Sequence, residues 1–259
     1  MGAGIADIKH FYSFSSEEYR QLFSTIFFVT AIFFLFKWRT TNLESTIAGI
    51  LYFIFIFLIT AVTLYVHEAM HKVVAIWKGF HATFNYWPAG GIIGVLVTFV
   101  SAGIFPLLLL GGSTGIHDPK LRLGKFRYGH NQWSMGQISL AGPLTNLFIV
   151  WLLGFIYLIT TNSYIYTIIQ LNLLVAVFSL LPLPKLAQAK AQQSFLQSFE
   201  MGTDGLNIYA YRPWVWVLTF ASAAIFAGLV LIANVYSFVL ASLLGAIVTL
   251  VYTSQVVAD

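Results

Sequence analysis

The chain contains no cysteine. Disulfides are excluded, and so are thiolate metal ligands. Charge is almost as scarce. Only 8% of the 259 residues are Asp, Glu, Lys or Arg, where a soluble domain carries about a quarter. There are 9 acidic residues and 6 histidines, so any site built from them has few candidates. Apolar residues fill the rest: 59% are hydrophobic and mean hydropathy is +0.83. This composition excludes an ordinary soluble domain and indicates an all-α polytopic membrane protein embedded in a lipid bilayer. The formal net charge of +4 does not point to nucleic acid. The basic residues sit in loops between apolar runs, which is a topology signal. Residues 1 to 20 are polar and of mixed charge, so no cleavable signal peptide is expected.

About six transmembrane helices are predicted. Ser15-x-x-Glu18 reads as a capping box for a first span over 17–37. Thr41-x-x-Glu44 reads as a second, opening a helix that carries the uncharged run Thr46 to Val66 on to about Trp77. Residues 137–160 and 164–182 form two more spans, and 213–232 and 235–254 a last pair. Between the second and third spans, residues 80–86 have strand-like composition. Glycines and Pro106 then interrupt the apolar run 92–110. We expect a small re-entrant β-hairpin region over 80–112, followed by a basic cytoplasmic loop, 113–136. If that region does not cross, eleven of the 13 Lys and Arg residues lie on the side of the N-terminus and only Lys37 and Arg39 opposite. The bias places both termini in the cytoplasm. The chain divides into a tail and first helix (1–45), a core (46–215) with an insertion at 185–203, and a C-terminal helix pair (213–259).

His67-Glu68-Ala69-Met70-His71 follows the second apolar run directly. Residues four apart share a helix face, so both imidazoles can reach one metal ion. Glu68 is one step round the helix, placed to reach a water on that metal. Given this composition, roughly 0.005 accidental H-E-x-x-H matches are expected. Ionisable groups near membrane depth are costly and usually functional. A catalytic zinc takes three protein ligands and keeps one open position. Position along the chain removes most carboxylates from the search for the third, leaving Asp118, Glu200 and Asp204, with His81, His117 and His130 as alternatives.

Several separated motifs occur in order. After H-E-x-x-H come Trp87-Pro88 in a glycine-rich region and Leu140-Ala141-Gly142-Pro143-Leu144-Thr145-Asn146. Leu180-Leu181-Pro182-Leu183-Pro184 and Asp204-Gly205 follow. Over roughly residues 46 to 215 the chain resembles the site-two protease family of intramembrane zinc metalloproteases, in its compact form without a PDZ domain. The resemblance implies Asp204 as the third ligand of one Zn²⁺ beside His67 and His71, with Glu200 the runner-up. The sequence departs from the family pattern in two places. Ser179 stands where an Asn is expected, and the insertion 185–203 separates the prolines from Asp204.

The resemblance implies hydrolysis of peptide bonds in or near transmembrane segments of membrane proteins, in a prokaryotic cell membrane, near its cytoplasmic side. Glu68 would act as general base and then acid. Asn146 is a candidate for shaping the substrate groove or for interhelical packing, and Ser179 for bonding a substrate or oxyanion. The other readings are a membrane metalloprotease acting on soluble or lipidated termini, and a non-catalytic metal-binding or transport protein. Sequence does not give the oligomeric state.

Overall fold

A computed structural model describes residues 11–38, 45–116, 132–183 and 203–232, with the single positions 8 and 41. Among them are seven helices and two strands: α1 Ser16–Trp38, α2 Thr46–Lys78, β1 His81–Asn85, α3 Pro88–Val100, β2 Gly112–Ile116, α4 Gln132–Thr160, α5 Ser163–Ser179, α6 Asp204–Tyr211 and α7 Pro213–Ile232. The expected span 235–254, His117, Asp118, His130 and Glu200 lie outside the described residues, as do residues 117–131 of the basic loop and all of the insertion but Thr203.

Among the described residues, three helices are long and apolar enough to cross a membrane: Ser16–Trp38, Thr46–Lys78 and Ser134–Thr160. The expected segments at 164–182 and 213–232 are also helical, as shorter apolar stretches. The pattern of α2 is inside-out. Ile47, Ile50, Leu51, Ile54, Leu58, Val62 and Tyr65 are exposed on its surface, while Thr60, Thr63, His67, Glu68, His71 and Lys72 are buried. An apolar outer stripe over a polar interior suits lipid as solvent.

Two helix starts contrast. The capping box of α1 forms as read: Glu18 N–H donates to Ser15 Oγ (3.2 Å) and Ser15 N–H to Glu18 Oε2 (2.8 Å). The second box, on Thr41, is corrected. The N-cap of α2 is Ser45, whose hydroxyl accepts from Ala48 N–H at 3.2 Å. Ser45 directly precedes the apolar run, so its hydroxyl satisfies an orphan donor of the first turn where Thr41 is too early to do so.

The expected β-hairpin region over 80–112 is corrected as well, because its second strand lies at the far end of the region and beyond it. β1 forms where strand composition indicated, but residues 88–100 are helical. The strand partner is β2, paired antiparallel with His81 opposite Ile116 and Asn85 opposite Gly112. The segment from 86 to 111 therefore leaves and returns at the same level. At 13 residues α3 is roughly 20 Å long, short of the ~30 Å hydrocarbon core. The returning segment packs against it: Thr98 Oγ1 accepts from Leu107 N–H at 3.3 Å.

α4 is the central scaffold, packed on α2, α5 and α6. One apolar cluster joins α1, α2 and α5 through Phe33, Ile56, Leu171 and Val175. Another joins α4, α6 and α7 through Leu140, Ile208 and Val215. The site lies between these two clusters.

Candidate metal centre

α2 brings His67 and His71 onto one buried face, and α6 brings Asp204 to meet them. The three are 2%, 0% and 1% exposed, too enclosed for chance surface clustering. Each offers a ligand atom, and these atoms lie within 4.8 Å of one another. Asp204 Oδ2 is 3.4 Å from His67 Nε2 and 3.3 Å from His71 Nε2. Charge-assisted N–H···O bonds are shorter, about 2.7–2.9 Å. Two donors each about 2.0–2.1 Å from one tetrahedral ion sit roughly 3.3 Å apart. The spacing fits a shared cation better than direct hydrogen bonds.

The other ring nitrogens orient the imidazoles. His71 Nδ1 lies 2.6 Å from the carbonyl oxygen of Ile138 on α4. A carbonyl only accepts, so the proton sits on Nδ1 and the Nε2 lone pair is free to bind a metal. That Nε2 is buried and makes no hydrogen bond. His67 Nδ1 lies 3.0 Å from Nδ2 of Asn146, a fully buried α4 residue whose Oδ1 has no partner. Turning this amide by 180° lets Oδ1 accept from Nδ1–H. Both Nε2 lone pairs then aim toward Asp204.

Two glycines leave room for this geometry. A Cβ on Gly142 would fall on Nε2 of both His67 and His71, so α4 can approach the pair this closely only with hydrogen there. A Cβ on Gly205 would strike the Leu180 carbonyl. Gly205 thus lets the start of α6 tuck beneath the end of α5. Thr203 fixes that start: its hydroxyl donates to the Leu181 carbonyl and accepts from Leu183 N–H at 3.1 Å. Trp216 Nε1–H donates to Leu180 O at 2.8 Å. The run Leu180 to Leu183 and the start of α6 are thus adjacent in space although the insertion separates them in sequence.

The sequence-derived candidates distribute unevenly. His67, His71 and Asp204 converge, Asn146 touches His67, and Glu68 is buried beside them on α2. Ser179 is buried, but its hydroxyl donates to Ala176 O at 3.0 Å within α5. It adjoins Leu180, against which Gly205 packs. His81 is half-buried in β1 and is not part of the cluster. Sequence reading missed the Ile138 carbonyl, which as a backbone group leaves no residue-type signal. It also missed the clearance at Gly142, which a packing glycine would mimic.

The described fold is that of a mostly helical protein with three candidate spans and a buried His/His/Asp cluster able to hold a metal ion. A protein of the archaeon Methanocaldococcus jannaschii, provisionally named as a zinc metalloprotease, is 26% identical to this chain over 204 residues. The alignment covers 77% of this chain and 88% of the relative. No family model and no solved structure matches the chain.

Proposed function

We propose that the chain is an intramembrane zinc metalloprotease that cleaves transmembrane proteins in or near their membrane spans. The observation that carries this reading is the approach of Asp204 Oδ2 to 3.4 and 3.3 Å from the two imidazole Nε2 atoms, with both histidines on a helix long and apolar enough to cross a membrane. The similarity to a protein named as a zinc metalloprotease supports the choice of metal and reaction. His67, His71 and Asp204 hold Zn²⁺. The bound ion supplies Lewis acidity toward a scissile carbonyl and toward water. Glu68 takes the proton of the attacking water and delivers it to the leaving amine. Asn146 and Ile138 O hold the imidazoles in the ligating tautomer.

α2 suggests the depth. His67 lies 21 residues after Thr46, roughly 30 Å along the helix axis, which is near the far boundary of the hydrocarbon core. With the charge bias, that end is cytoplasmic. A substrate helix must unwind before cleavage, because helical amides are already hydrogen-bonded. The β1–β2 sheet beside α2 suits capture of the unwound segment by strand addition.

The test is direct. Purify the wild type and the Glu68→Gln and Asp204→Ala variants in detergent. Measure zinc content and cleavage of a generic single-span substrate. Zinc retained with cleavage lost in Glu68→Gln, and zinc lost in Asp204→Ala, is the expected result. Full zinc and full cleavage in Asp204→Ala would remove that ligand. Zinc bound without cleavage in the wild type would favour a metal-binding or transport role.

A further inference from the structure

Beside the metal cluster lies a second buried polar group that the proposed chemistry does not use. Lys72 and Glu18 are 2% and 6% exposed. Lys72 Nζ donates to Glu18 Oε1 at 2.7 Å and to the Ala82 carbonyl at 3.0 Å, and lies 4.5 Å from the centre of the Phe14 ring. Glu18 Oε1 also accepts from Phe84 N–H at 3.2 Å, while its Oε2 accepts from Ser15 N–H. Two residues on, Tyr86 N–H donates to Gln21 Oε1 at 3.1 Å.

Parity gives these bonds a meaning. In an antiparallel pair, a residue turns its N–H and C=O to the same side, alternating along the strand. Ala82 and Phe84 therefore face away from β2, and their outward groups are taken by Lys72 and Glu18. His81, Thr83 and Asn85 face β2, opposite Ile116, Thr114 and Gly112. By the same parity Ser113 and Gly115 of β2 turn their backbone groups away from β1. β1 packs on α1 and α2, whereas β2 packs on α4, which orients the two imidazoles, and on α2, which carries them.

We infer that the Glu18–Lys72 pair is a positioning device that closes the outer edge of β1 and pins the sheet to the metal helix, so that the extended substrate segment adds to the outer edge of β2. A buried ion pair contributes little net stability, and placement is what it supplies in return. Here each charge bonds the strand backbone as well as its partner, so the pair sets strand position relative to His71, the residue before Lys72. This rests on the strand-addition reading above.

The absence of cysteine makes the test clean. Place single cysteines at Ser113→Cys or Ala82→Cys and offer a synthetic transmembrane peptide carrying one cysteine near its scissile bond. Residues opposite one another on neighbouring antiparallel strands have Cα atoms about 4.5–5.5 Å apart, within the range that a disulfide bridges. Disulfide crosslinking through Ser113→Cys and none through Ala82→Cys is expected. In parallel, the double variant Glu18→Gln/Lys72→Met removes both charges without stranding either. It should keep its zinc while KM rises roughly tenfold and kcat stays within about twofold. Glu18→Asp should restore part of the loss when Lys72 is kept. Crosslinking through Ala82→Cys, or an unchanged KM in the double variant, overturns the inference. Zinc-dependent cleavage with no crosslink at either position also overturns it, and removes strand addition while leaving the protease reading intact. Absence of zinc-dependent cleavage in the wild type removes the protease reading and this inference with it.

Discussion

His71 and Lys72 are consecutive residues of α2 that face two different polar sites. Around Lys72 the bonding is complete: carboxylate, backbone carbonyl and aromatic ring each take part of the ammonium, and Glu18 is bonded through both oxygens. Around His71 it is incomplete. Its Nε2 has no hydrogen bond, and the contact to Asp204 is long. Both sites are buried, and unsatisfied polar groups are costly where water is excluded. A closed network reads as architecture, whereas an open set of donors converging on one point reads as a place for something to bind. The difference between the two sites is one of satisfaction rather than residue type.

The strongest way to break the comparison is to alter the open site without touching its ligands. Glu68→Gln should lower cleavage by about 10²–10⁴-fold, the usual contribution of a general base or acid, while zinc content stays at the wild-type level. Parallel loss of zinc would mean that Glu68 belongs to the ligand set. Gly142→Ala comes next. Its methyl would occupy the position against both Nε2 atoms, so zinc content should drop to background and cleavage with it. The helical fold, read by circular dichroism, should persist. A fully loaded Gly142→Ala protein would show that α4 can retreat and that the close approach is dispensable.

The contrast was only half legible in sequence. The spacing of His67 and His71 fixes a shared helix face, and the run before them predicts a long apolar helix. Both features depend on local periodicity, which sequence carries well. Asp204 is implied by resemblance rather than by local spacing, because the insertion separates it in sequence from Leu180 to Leu183, beside which the start of its helix packs. The capping box named Glu18 from its spacing to Ser15, yet nothing local indicates that Lys72, 54 residues away, shares the same carboxylate. β2 was missed for a physical reason. Gly112 and Gly115 have little intrinsic strand preference, so pairing with β1 rather than composition defines the strand.

Asn146 offers a smaller, sharper perturbation. Asn146→Leu keeps the volume near His67 but removes the amide that sets its tautomer. Loss of such an outer partner typically costs 10–100-fold in metal affinity, and competition with a chelator should read a shift of about that size. Asn146→Asp, which accepts from Nδ1–H without turning, should recover most of it. Equal loss in Leu and Asp variants would make Asn146 a packing residue between α2 and α4.

Ser15→Ala tests the closed site from its edge and should have the least effect. The hydroxyl accepts from Glu18 N–H at the start of α1, and losing such a cap costs about 1 kcal/mol. Glu18 keeps its bonds to Lys72, Phe84 and the backbone N–H of residue 15, because none of them uses that hydroxyl. The thermal midpoint in detergent should fall slightly, with zinc content and KM unchanged. A rise in KM from this substitution alone would mean that the start of α1 is soft enough to carry Glu18 out of place. The pair would then depend on the cap for its position, and the edge of β1 would be held by the whole turn from Ser15 to Glu18 rather than by two charges.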